Sequence, residues 1–172
     1  MSKTSLISEM QKFHFGNKVI FSDGEDGILV HVVFDAASRR MTHIGVKQGR
    51  FFGRTIFLSY TTVLDSTSDG LMLNIKRGDA ATVSTANAVG AVLDNKTVVE
   101  NTDTSARGTL MMIAVHPENG ELAYLVVHHL YPGQDTLLQQ KYVANLATGQ
   151  VKVHISEAAL RALPPYRPDS VL

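Results

Sequence analysis

Seven histidines (His14, His31, His43, His116, His128, His129 and His154) and the carboxylates Asp23, Glu25 and Asp26 are the side chains of this 172-residue chain best suited to chemistry. A metal centre needs three or four such ligands converging at defined distances. No HExxH or similarly spaced helical pair is present. A hairpin that pairs Phe34 with Met41 places His31 opposite Ile44 and His43 opposite Val32. Strand side chains alternate, so these two imidazoles are expected on opposite faces. A one-residue slip of register reverses that conclusion. His128 and His129 are adjacent at a strand end and are likewise expected to diverge. Asp23, Glu25 and Asp26 are spaced somewhat like a calcium loop. However, the chain turns apolar at Ile28 and no twelfth-position Glu follows, so the segment reads as a turn.

Other reactive constellations are missing from the sequence. With no cysteine, disulfides, thiolate metal sites and cysteine nucleophiles are excluded. There is no G-x-S-x-G elbow, no phosphate-binding G-x-x-x-x-G-K-[ST], and no strand-linked G-x-G-x-x-G. The expectation is a protein without catalytic residues, metal or cofactor.

What remains are two loops that follow hairpins. Gln48 to Arg54 sets Phe51 and Phe52 between glycines and beside Arg50 and Arg54. Its counterpart, His129 to Asp135, carries Leu130, Tyr131 and Pro132. Aromatic residues beside arginine are typical interface anchors. Arg50, Phe51, Phe52, Arg54, Leu130 and Tyr131 are therefore the candidate protein-contact residues. The alternative is that they plug a barrel end or pack one half on the other. Met111 and Met112 are either an adaptable surface or core filling.

The elements that must hold these loops occur twice, with a period of about 80 residues. Gly27-Ile28-Leu29-Val30-His31-Val32-Val33-Phe34 is echoed by Gly108-Thr109-Leu110-Met111-Met112-Ile113-Ala114-Val115. Leu71 to Ile75 is echoed by Val151 to Ile155, and Asn17-Lys18 by Asn95-Lys96. Alternating or continuous apolar runs bounded by turn formers predict strands at 18–21, 28–34, 41–47, 54–58, 61–64 and 71–75. The second set is predicted near 97–99, 109–115, 122–128, 136–139, 142–146 and 151–155. Leu6, Ile7 and Met10 suggest a short helix over 2–12. Ser156 is placed to cap a helix over 157–163, which Pro164-Pro165 ends. Residues 77–91 are rich in Ala, Gly, Thr, Ser and Asn and read as a connector. The division is a first repeat over 1–78, a connector over 79–91 and a second repeat over 92–172.

Hydrophobic residues make up 44% of the chain, enough for a packed core. Sixteen basic residues balance sixteen acidic ones, so there is no general basic surface for nucleic acid. The cluster Arg39, Arg40, Lys47, Arg50 and Arg54 reads as a solvated face. No apolar run of about 18 residues exists to span a membrane, and no signal-type apolar region follows Met1. The expected setting is cytoplasmic.

The stretch Asp23-Gly24-Glu25-Asp26-Gly27, the strand after it, Met41-Thr42-His43-Ile44-Gly45-Val46 and Lys47 to Arg54 resembles the PRC-barrel family. Thr42-His43-Ile44 and Phe52-Gly53-Arg54 carry most of that likeness. In the second half, Gly108, His116 to Leu122, Tyr124 to Val127 and Pro132-Gly133 carry it. The ending from Ser156 to Asp169 is similar to tails of bacterial tandem members. Departures are Arg39 at a common turn glycine, Ser59-Tyr60 and Gln140-Lys141 in place of a Pro-containing element, and a longer lead-in over 100–108. The resemblance implies an all-β chain of two tandem PRC-type barrels packed pseudo-symmetrically, with short terminal helices. It implies scaffolding rather than catalysis, because the family shares no catalytic residues. The expected function is a protein-interaction or assembly module that binds a protein partner or itself, with peripheral association to a membrane complex open to it. The alternatives are an RNA- or ribosome-associated factor, by family analogy, and a small hydrolase or metal-dependent enzyme.

Overall fold

The computed structural model describes residues 9–48, 53–85 and 88–166. Fourteen strands and two short helices form two sets that match in order. The first set is β1 (Gln11–His14), β2 (Lys18–Ile20), β3 (Asp26–Phe34), β4 (Met41–Lys47), β5 (Thr55–Ser59), β6 (Val63–Thr67), β7 (Gly70–Leu73) and α1 (Arg77–Val83). The second is β8 (Ala91–Leu93), β9 (Val98–Asn101), β10 (Arg107–Val115), β11 (Leu122–Tyr131), β12 (Gln134–Gln139), β13 (Val143–Ala147), β14 (Gln150–Val153) and α2 (Glu157–Ala162). Single 3-10 turns, Tyr60–Thr62 and Gln140–Tyr142, join β5 to β6 and β12 to β13. The chain is all-β, with two barrel-like units.

Both units curl a sheet in the same order. The first runs β5-β4-β3-β2-β7-β6 and the second β12-β11-β10-β9-β14-β13. Even the bulges recur, between Leu29 and His31 in β3 and between Leu110 and Met112 in β10. Bulges sharpen twist, which a small sheet needs in order to close on itself. Seven inward positions of the long hairpins and the strands beside them match one for one. Leu29, Val32, Phe34, Met41, Ile44, Val46 and Leu58 answer to Leu110, Ile113, Val115, Leu122, Leu125, Val127 and Leu138, all buried in one continuous cluster.

The first strand of each set leaves its own unit. β1 pairs antiparallel with β10, Phe13 opposite Ile113, while β8 pairs antiparallel with β3, Leu93 opposite Val32. Each exchanged strand also touches the unit across the seam. Ser66 Oγ donates to the Lys12 carbonyl, and Gly149 N donates to the Val92 carbonyl (3.0 Å). The two long hairpins meet turn to turn: Met41 N donates to Gly120 O (2.8 Å) and Leu122 N to Arg39 O (2.9 Å). Those donors and acceptors exchange roles under the repeat, so the units are related by a pseudo-twofold axis. Arg39 holds φ +58°, the left-handed conformation of its counterpart Gly120 (φ +71°). The turn glycine is thus replaced without changing the turn. The Arg39 side chain reaches the carbonyls of Gln140 (3.4 Å) and Ala144 (3.5 Å) on the second unit. Tyr60 packs on Phe13 and hydrogen-bonds Gln11.

Several expectations need correcting. Gln11 and Lys12 are strand, not helix, because their backbone completes the edge of β10; residues 1–8 lie outside the described set. The connector holds a helix, α1, and its last residue, Ala91, opens β8. Asn95-Lys96 is not the counterpart of Asn17-Lys18, since it lies in the turn between β8 and β9 while Lys18 answers to Val98. Phe34 does pair with Met41, but Thr42 is then an extra residue, so His43 faces Val33 and His31 faces Gly45. His31 and Val33 share a face of β3, which puts both imidazoles on the outer face. Ser156 caps α2 as expected, its Oγ accepting from Ala159 N (3.1 Å).

Phe13 is fully buried, and its truncation removes core from the seam between both units. Phe13→Ala is expected to cost about 3–5 kcal/mol in denaturant unfolding, whereas Met111→Ala, at an exposed site on β10, costs about 0.5 kcal/mol or less. A local loss confined to a fraying N-terminus is the contrary outcome. His14 on β1 has its Nε2 buried without a hydrogen-bond partner, and burial, then Lys12, lower its pKa below 6.5. The unfolded chain therefore binds the proton more readily, and stability falls as pH drops through 6.5 toward the lower folded value. Unfolding midpoints between pH 8 and 5, taken as about the useful range, should fall less for His14→Gln than for the natural chain.

Candidate functional site

The hairpin turns lie at the seam, so the opposite ends of β4 and β11 lie away from it. At roughly 3.3 Å per residue, the length of β4 carries Lys47 about 20 Å from Met41. Each far end forms a rim where one row of residues crosses four strands. In the first unit the row is Lys18, Ile28, Lys47 and Thr55. In the second it is Val98, Thr109, His128 and Asp135. The two loops singled out by sequence spring from these rows.

At the second rim, His128 Nδ1 hydrogen-bonds the Asp135 carboxylate. An ionised carboxylate only accepts, so the imidazole donates from Nδ1 and a neutral ring keeps Nε2 as a lone pair. β11 is irregular between His128 and Tyr131, where His129 takes φ +66°. That left-handed residue turns the His129 ring back onto His128, with centroids 3.7 Å apart at 58°. The expected divergence of this pair is therefore corrected: alternation fails where the strand breaks its extended geometry. His128, His129, Gly133, Gln134 and Asp135 line an open depression of about 360 Å³. The buried hydroxyl of Thr136, next in sequence to Asp135, lies on the barrel interior, out of phase with Asp135. No serine-type relay can be drawn through it. Among the described residues, no three His, Asp or Glu side chains are placed to hold a metal ion.

The candidate contact residues separate. Leu130 is 1% exposed and belongs to the core, so it offers nothing to a partner. Tyr131 is half-buried against that core, opposite Gln134. Arg54 is exposed, its carbonyl accepting from Gln48 N (3.4 Å). Arg50, Phe51 and Phe52 lie outside the described residues. The first rim also exposes Ile28 (44%) between Lys18 and Lys47, with Lys18 3.6 Å from Asp26. Neither Ile28 nor the His128–Asp135 pair was visible as a site in sequence. Each depends on which residues the cross-strand register sets side by side.

The outer sheet faces differ as well. Behind the second rim, Met112, Ala114, Val126 and Leu137 pack under Met10 and Tyr166. Their counterparts on the first sheet are His31, Val33, Gly45 and Phe57. His31 stacks on Phe57 (6.0 Å, 22°), with its Nδ1 3.6 Å from Asp94. A Cβ on Gly45 would lie 2.8 Å from the His31 Cβ and 3.1 Å from the Phe57 ring, so only glycine admits this stack.

No protein-family model matches this sequence, and no curated protein matches it.

Removing the Asp135 carboxylate should free the His128 tautomer. In Asp135→Ala at alkaline pH, the His128 nitrogen resonances should shift toward the Nε2–H form, while those of His43 stay fixed. Unchanged His128 nitrogens would show that the pair does not set the tautomer.

Proposed function

We propose that this chain is a non-enzymatic interaction module with two unlike ends, each binding a protein surface through a barrel rim. The observation that carries the reading is the unlike chemistry of the two rims and outer faces on a frame whose long hairpins repeat bulge for bulge. Most equivalent inward positions remain apolar in both units, the exceptions being Thr136 for Ile56, Ser66 for Leu146 and Asn101 for Phe21. At equivalent rim positions, Lys47 and Thr55 stand against His128 and Asp135. A frame with one common role at both ends would have no need of different chemistry there. The PRC-barrel resemblance supports the same class of function. The balanced charge argues against an extended nucleic-acid surface, and among the described residues no helix is long and apolar enough to cross a membrane.

Photo-crosslinking residues placed singly at Arg54, Gln134 and the exposed strand residue Lys152 test the proposal in lysate of the source cells. Arg54 and Gln134 should each give discrete adducts that unlabelled protein competes away, and the two sets should differ. Lys152 should give none. Identical adducts from all three positions, or none from either rim, would overturn the reading.

A further inference from the structure

We infer that the closed chain has a second form of the same packing: a dimer in which the first unit of one copy docks with the second unit of another. The inference is independent of what either rim binds. It rests on where the chain crosses the seam. β8 belongs to the sheet of the first unit and β9 to that of the second, so the crossing falls within Asp94, Asn95, Lys96 and Thr97. The other crossing, between β1 and β2, moves with the first unit and needs no change. If the Asp94–Thr97 turn opens, every other contact across the seam can be made between two copies instead of within one. These are the pairings β1 with β10 and β13–β14 against β8, and the turn-to-turn bonds Met41–Gly120 and Leu122–Arg39. Two forms that share an interface differ only in their hinge and in concentration.

The turn holds the chain closed by local bonds. Asp94 N donates to Thr97 Oγ1 (2.8 Å), Lys96 N to Asp94 Oδ1 (2.8 Å) and Thr97 N to Asp94 O (3.1 Å). Thr97 is fully buried, so this bend is part of the packing. A second copy is therefore a fitting partner for the seam whenever the bend is denied, and the dimer would carry each rim twice.

The test removes Asn95 and Lys96, leaving too little chain to bend back. Because the chain has no cysteine, a Lys12→Cys and Ala114→Cys pair, opposite each other across β1 and β10, reports which chain β1 has joined. With the natural turn, the oxidised pair should link within one chain. With the shortened turn, light scattering should give twice the mass, and the same pair should link two chains. A monomer with an internal link, or a dimer that keeps internal links, overturns the inference. If the shortened chain does not fold, the natural-turn cysteine chain refolded at rising concentration decides. A rising interchain fraction supports the exchange, and exclusively internal links overturn it.

Discussion

The constraint on which the rest depends is that β3 and β10 are each too long for one partner on their inner edge. Both are nine-residue strands. The first part of β3 is paired by β2, through Ile28, and the last part by β8, through Val32 to Phe34. The first part of β10 is paired by β9 and the last by β1. Leaving either upper edge unpaired would strand buried backbone donors and acceptors beside Phe34 or Val115, at a cost comparable to several lost hydrogen bonds. Neither unit can meet that demand from its own strands. The reciprocal loan of β1 and β8 satisfies both edges, and it joins the two cores into one cluster containing Phe13 and Leu93.

That loan explains the contacts at the seam. Once β1 lies on the second unit and β8 on the first, the hairpin turns are drawn together, and their exposed backbone groups bond each other. Arg39 can hold a left-handed conformation that costs an L-residue roughly 1–2 kcal/mol, because its carbonyl and side chain are engaged by the second unit. Gly120, on the other hairpin, has no such freedom to change. A Cβ there would lie 3.0 Å from the Tyr60 ring. Burial, then Glu118, raises the Tyr60 pKa, in keeping with a phenol enclosed at this junction.

The duplicated hydrophobic pattern made most of the fold legible in sequence. The long hairpins, the 35–40 turn, the Ser156 cap and the two sets of strands follow from apolar runs and turn chemistry alone. The exchange did not follow, because Gln11 to His14 and Ala91 to Leu93 are too short for periodicity to declare, and nothing local says which sheet a short strand joins. The histidine geometry was lost for a related reason. One extra residue, Thr42, shifts His43 relative to His31, and one left-handed residue, His129, reverses its own side chain. Alternation fails at a bulge, and bulges leave little trace in composition. Leu130 misled in the opposite direction. Its place in a loop-like segment suggested a contact residue, whereas β11 runs on through it into the core.

The same constraint weighs on what duplication could alter: inward changes such as Ser66 for Leu146 and Asn101 for Phe21 come with a bonded partner, the Lys12 and Ile155 carbonyls. An inward position such as Ile44 or Leu125 serves a core common to both units, so a polar change at either one is felt by both. Outward positions serve one unit only. The second sheet has filled its outer face with Met112, Val126 and Leu137 and closed it with Met10 and Tyr166. The first has reduced the position of Val126 to Gly45 and laid His31 against Phe57 over the vacated space. Each solution is internally consistent, and neither fits the other unit. Val126 would strike the His31–Phe57 stack, and Gly45 on the second sheet would leave an apolar cavity beneath Met10. A shared core with unshared exteriors thus leaves the two units with different outer surfaces.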